Sequence, residues 1–369
     1  MGEIRMNTDK STLKERRIGE KTAQLPIIQG GMGVGISRSS LAGAVAREGG
    51  VGVISTAQIG YDEEGFEQDQ AKCNRIAIGK HVKKAKEIAG GRGLVGVNIM
   101  VALKHYEEHV RESVKAGADV IISGAGLPMD LPKLVSEKSG TKIAPIVSSR
   151  RAANLILKMW AHRYDRTADF IVIEGPKAGG HLGFSREELA HLYEPDYEAN
   201  YDDEIRRIIA CVHEYGEKYG VHIPVITAGG IMNARQVQHA FALGAEGVQV
   251  ATPFVTTEEC DAAPAYKQAY VNAKKEDIEI VTSPVGMPGR AIHNAFLEKV
   301  AQQKEHITHC FRCLEKCNPT QAPYCITQAL IRAVEGDVEN GLIFCGDNVQ
   351  YLDHIGTVEE VVHALFPES

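Results

Sequence analysis

Nowhere in the 369 residues do about 18 apolar residues run together, which excludes a membrane-spanning helix. No apolar stretch follows the N-terminal charges Lys10, Lys14, Arg16 and Arg17, so no signal peptide is expected and a cytoplasmic location is the default. Those charges are interleaved with acids and read as a solvated face. Basic residues are not in excess either. Lys and Arg number 41 against 48 Asp and Glu, a formal net charge of −7. Phosphate contacts need clustered Lys and Arg, so nucleic acid is not expected as the main partner. No internal repeat stands out. The expected partner is a small molecule, with no nucleic acid and no membrane; a homodimer is left open.

What is present is alternation. Short apolar runs recur at Pro26–Gln29, Val51–Ile54, Leu94–Met100, Val120–Ile122, Lys142–Val147, Phe170–Ile173, Pro224–Thr227 and Gly247–Val250. Continuous runs of this length mark strands buried on both faces. Segments of helical spacing lie between them. One puts Val82, Ala85, Ile88 and Ala89 on a common face, and another spans Ala234–Leu243. Strands alternating with helices pair in parallel, and eight such units favour a closed (β/α)8 TIM barrel over an open doubly wound sheet.

The boundaries predicted are a lead segment over 1–23, the barrel over 24–300 and a Cys-rich helical C-terminal extension over 301–369. The connection after the sixth strand, 182–221, is long and acidic (Glu187, Glu188, Glu194, Asp196, Glu198, Asp202, Asp203, Glu204). It is expected to be part lid and part helix, with a solvated surface excursion as the alternative. Thr357 and Glu360 form a capping-box pattern that predicts a closing helix.

In a parallel barrel, function sits on the loops after the strands. The sixth loop reads Glu174-Gly-Pro-Lys-Ala-Gly-Gly-His181, the seventh Ala228-Gly-Gly230 and the eighth Ala251-Thr-Pro-Phe254. Glycine pairs on adjacent loops, with a helix beginning just beyond the second, make an anion site of the kind that holds a phosphate. His181 follows that loop directly and is the candidate proton-transfer residue. Gly30-Gly-Met-Gly-Val-Gly35 does not match G-x-G-x-x-G and reads as a first-strand loop flat enough for a planar ring.

Pro26–Met32, Gly96–Met100, Ser123–Gly126, Glu174–His181, Ala228–Gly230 and Leu243–Thr252, in this order, resemble the 2-nitropropane dioxygenase (nitronate monooxygenase) family, which includes flavin-dependent enoyl-acyl-carrier-protein reductases. The resemblance implies an FMN barrel. Gly179, Gly180, Gly229, Gly230, Ala251 and Thr252 would hold the phosphate. Gly30, Gly31, Met32 and Asn98 would lie near the isoalloxazine, and Glu174, Ala178 and Gln249 would border the cofactor. His181 matches the family's active-site histidine. The implied activity is oxidation of alkyl nitronates with O2. The alternative is reduction of an enoyl thioester or another activated alkene, with NAD(P)H as donor. Ala251-Thr-Pro-Phe254 departs from the commoner Gly-Thr pattern.

A third class is a non-redox barrel binding a phosphorylated metabolite. Lys177 stands alone as a lysine near a strand end, which weakens an aldolase. Cys310-x2-Cys313-x3-Cys317-x7-Cys325 is a dense set with the ligand chemistry of a 4Fe-4S cluster or zinc. It is similar to the four-iron pattern of dienoyl-CoA-type flavin reductases, a different family. Reduced thiols filling a helical core are the alternative.

Overall fold

The computed structural model describes residues 16–18, 21–194 and 196–367; Lys10 and Lys14 lie outside them. The strands are Ile27–Gln29, Val51–Ser55, Leu94–Met100, Val120–Gly124, Lys142–Val147, Ile171–Glu174, Val225–Ala228 and Gly247–Val250. They close into one parallel barrel in which Val248 pairs with Ile27 and Ile28 with Val51. Its interior is packed, not hollow: Ile28, Val53, Val120, Ile122, Phe170, Val172 and Ile226 form a single buried cluster. Apolar side chains on both faces explain the unbroken apolar runs.

Helices cover the outside. Gln70–Ala89 buries Val82, Ala85 and Ala89, and Ala234–Ala242 buries Val237 and Ala240. Helix formation after the fourth strand is reduced to Leu131–Leu134. The long acidic connection resolves into two parts. Its second part is the barrel's own sixth helix, Tyr197–Tyr219, which buries Ile205, Ile208, Ile209 and Val212 against the outer core. The segment before it holds the short helix Arg186–Ala190, capped by Ser185 and Glu188.

The region after the eighth strand makes a long excursion before the last helix returns to the barrel wall. Val358–Leu365, opened by the Thr357–Glu360 capping box, packs Val358, Val362 and Leu365 with Leu41, Val45, Val237 and Ala240. It stands where the eighth barrel helix belongs. Within the excursion, Ile278–Thr282 and Pro288–Ile292 form a hairpin that pairs antiparallel with Gly180–His181, setting Gly289 opposite His181. At the N-terminus Arg16–Ile18 pairs antiparallel with Lys21–Ala23. No helix among the described residues is long and apolar enough to cross a membrane.

Candidate functional site

A cavity of about 450 Å³ opens at the carboxyl ends of the barrel strands. Gly30, Gly31, Met32, Asn98, Glu174, Ala178, Gly179, Gly180, His181, Gly229, Gly230, Gln249, Ala251 and Thr252 all line it. One wall is backbone against backbone. A Cβ on Gly179 would meet the carbonyl of Cys345 at 2.7 Å and the amide of Gly346 at 2.8 Å. Gly229 sits at φ +100, and a Cβ there would lie 3.0 Å from the Gly175 carbonyl. Only a residue without a side chain permits both the positive φ and the approach. Ala251, the departure from the family pattern, has a negative φ of −124, so the left-handed backbone that favours glycine is not required there. The helix after the seventh loop is capped by its own Asn233, whose Oδ1 accepts the Gln236 N–H at 3.1 Å, so part of the helix terminus is already satisfied.

His181 is carried to the cavity by the short antiparallel strand, not by the barrel itself. Its ring packs edge-on to Phe344, centroids 5.0 Å apart, and its Nε2 lies 2.7 Å from Ser283 Oγ. Among the described residues no carboxylate supports the imidazolium, and burial pushes the pKa down to about 4. The imidazole is therefore neutral near pH 7. Glu174, at the end of the sixth strand, is pushed the other way: burial raises its carboxyl to about 7. Its backbone carbonyl accepts from the Tyr201 hydroxyl at 3.0 Å.

Several lining residues lie outside the sequence expectations. Phe344–Asn348 cross the mouth: the Asn348 amide donates to the Gly230 carbonyl at 2.7 Å and the Asp347 N–H to the Lys177 carbonyl at 3.2 Å. Buried Arg290 donates to the Ala178 carbonyl behind the sixth loop and lies 3.6 Å from Asp347. Tyr193 donates to Asp347 from the segment between the sixth strand and the sixth helix. Ala125, Leu127, Ile146, Val147, Met287 and Leu330 supply a mainly aliphatic wall opposite the glycines. The Gly- and Pro-rich run Ser283-Pro-Val-Gly-Met-Pro-Gly289 was a turn signal that could have drawn attention to the hairpin.

The cysteines are a correction. Among the described residues no group of three or more His, Cys, Asp or Glu side chains is arranged to hold a metal ion. Cys310 is exposed and Cys313, Cys317 and Cys325 are partly buried, all as free thiols. Cys313 and Cys325 pack with Phe66, Phe311 and Ile331, and burial pushes the Cys313 thiol up to about 11. Apolar surroundings favour the thiol over the thiolate a metal needs; here these side chains act as core filler.

A parallel barrel with its cavity at the strands' carboxyl ends is the arrangement of the barrel enzymes, and this chain is one of them. Residues 14–368 match the nitronate monooxygenase family, and the chain belongs to it. It is an oxidoreductase, and flavin dependence is typical of its family. The probable nitronate monooxygenase of Staphylococcus aureus (strain Newman) is 28% identical over 315 residues, covering 80% of this chain and 82% of that protein. FabK from Thermotoga maritima matches with a TM-score of 0.67 at 29% identity, over 93% of this chain and 92% of that one. A nitroalkane oxidase from Streptomyces ansochromogenes has a TM-score of 0.69 at 19% identity, covering 94% and 96%, a likeness of fold alone.

Proposed function

We propose that this chain is an FMN-dependent oxidoreductase that oxidises alkyl nitronates with O2, with His181 as the proton-transfer residue. The observation that carries the reading is the juxtaposition of a side-chain-free backbone wall, Gly179–Gly180 with Gly229–Gly230, and a neutral histidine on one cavity. The residues present fit FMN: the wall would take its phosphate, with Ala251 and Thr252 at the next loop. Gly30–Met32 and Asn98 would border the flat ring. A Cβ on Gly31 would come within 2.4 Å of Asn98 Cβ, so backbone there is stripped to its minimum width. Bound FMN would supply the two-electron redox chemistry. The chain's own part is to hold the substrate against a mainly aliphatic wall and to keep an uncharged imidazole at its edge.

Reduction of an enoyl thioester or similar activated alkene, with NAD(P)H as donor, is the second reading. The aliphatic wall and the likeness to FabK favour it. Purified protein is expected to be yellow. Anaerobic bleaching by an alkyl nitronate supports the first reading. Bleaching by NAD(P)H alone, reversed by an enoyl thioester, supports the second. A colourless protein that cannot be reconstituted with FMN overturns both. His181→Asn is expected to keep FMN and lose roughly 10²-fold or more in turnover; unchanged turnover removes the histidine from the chemistry.

A further inference from the structure

His181 has one hydrogen-bonded neighbour whose part in the site the chemistry above leaves unassigned. Ser283 directly follows the first strand of the inserted hairpin, about a hundred positions away in sequence, and is 2% exposed. Its backbone N–H bonds the Met287 carbonyl at 3.2 Å, so the residue is fixed by the hairpin's own turn. Its Oγ already accepts the Val285 N–H at 3.3 Å and lies 2.7 Å from His181 Nε2. Resting on the reading of His181 as the proton-transfer residue, we propose that Ser283 is a positioning residue that keeps the His181 proton on Nδ1, so that the histidine meets substrate as a donor.

A serine Oγ carries a single proton and two lone pairs. If Nε2–H donated to Oγ, the oxygen would accept two N–H groups. Its own proton would then be left without an acceptor, because no other partner of this Oγ is present among the described residues. A buried donor left unmade is costly. If Oγ–H donates to Nε2 instead, the hydroxyl is satisfied both as donor and as acceptor. A neutral imidazole has one protonated nitrogen, and the bond made by one nitrogen decides which. Nε2 then accepts and Nδ1 carries the proton. Nδ1 has no hydrogen-bond partner among the described residues, and the ring that bears it lines the cavity. A donor at that edge suits the charged oxygen of a nitronate, or the carbonyl of an enoyl thioester. It does not suit abstraction of a proton from a neutral nitroalkane, which needs an unprotonated nitrogen.

The test reads the tautomer directly in holoprotein labelled with 15N-histidine, with His181→Asn identifying the signal by difference. Wild-type protein is expected to show Nδ1 protonated and Nε2 accepting at pH 7. Ser283→Thr keeps that pattern, and Ser283→Ala loses it. In anaerobic flavin reduction by propyl nitronate, Ser283→Ala is expected to be slower by about tenfold with FMN content unchanged, and Ser283→Thr to restore the rate. A wild-type spectrum with the proton on Nε2 overturns the proposal, even where Ser283→Ala does not fold. So does a Ser283→Ala spectrum identical to wild type. Failure of the functional reading looks different: wild-type flavin would not bleach with nitronate, whatever the spectrum shows.

Discussion

The two sides of the barrel mouth are built from different chemistry. On the side of the sixth to eighth strands, loops meet through bare backbone, with Gly179 against Cys345–Gly346 and Gly229 against Gly175. On the side of the third to fifth strands the cavity is walled mainly by Met100, Ala125, Leu127, Ile146 and Val147, joined by Leu330 from the excursion. Backbone amides in concave array favour an anion, whereas an aliphatic wall favours whatever is least hydrated. On the proposed reading the glycine side is a binding end and the aliphatic side a selective end; His181 and Glu174 line the same cavity.

The largest effect is expected where the binding end is breached. Gly229→Val places a branched side chain at φ +100 and drives its Cβ to 3.0 Å from the Gly175 carbonyl and 3.1 Å from the Ala178 amide. Strain of roughly 3 kcal/mol corresponds to about a hundredfold weaker FMN retention, read as flavin absorbance after gel filtration with circular dichroism unchanged. Gly180→Ala is the internal control. Its φ is +71, but an added Cβ meets nothing within 4 Å, so only about 1 kcal/mol of backbone strain is expected. Equal losses in the two variants would mean that the close approach of the loops is not what shapes this wall.

Much of the contrast was legible in the residues. The eight strands announce themselves because a strand buried on both faces has no polar alternation to obscure it. The glycine pairs were readable because each sits in the loop that follows such a strand. The lining that the excursion adds to the mouth was hidden for a physical reason. Phe344 reaches the mouth through a bridge to Ala291, and Ser283 and Met287 arrive on a hairpin that pairs with Gly180–His181. Pairing across a hundred residues leaves no local periodicity. The acidic run after the sixth strand left helix and solvated excursion both open, because a helix whose outer face is charged resembles an excursion until Ile205, Ile208 and Val212 are counted on its other face. The thiols misled because ligand spacing in sequence does not report side-chain convergence.

Glu174 lines the same cavity and is tested through pH. Its carboxyl, raised to about 7 by burial, keeps its proton in the folded state while the unfolded chain ionises near the ordinary 4.5. No difference arises below that value. Stability is lost as pH rises from about 4.5 towards 7, because the unfolded state releases a proton the folded state retains, and the full penalty stands above 7. Glu174→Gln removes the titration. The flavin-free variant is expected to gain on the order of 1–3 kcal/mol over wild type at pH 8 and little at pH 4.5. Thermal melts at the two pH values measure it; a gain independent of pH would show that the carboxyl is not held neutral.

The smallest effect belongs to the selective end, and it decides what that end is for. Leu330 projects from the helix Ile326–Val334 into the cavity and packs at its base against the outer core and the Phe66–Phe311 cluster. Leu330→Ala removes aliphatic bulk without touching the glycine wall, so FMN content should not change. Because the side chain is only partly buried, the cost in stability should fall near or below the low end of the range for core truncations, about 2 kcal/mol. If substrate chains lie along this wall, the widened pocket should raise kcat/KM for a longer or branched chain relative to a short one by about tenfold, the usual scale for a few methylenes in an apolar pocket. The measurement is that ratio across a series of nitronates and, separately, of enoyl thioesters. A shift in one series and not the other identifies the class the wall accommodates. A ratio unmoved in both places the substrate elsewhere in the mouth, and the aliphatic side then serves to keep water from the flavin edge instead of to choose what is bound.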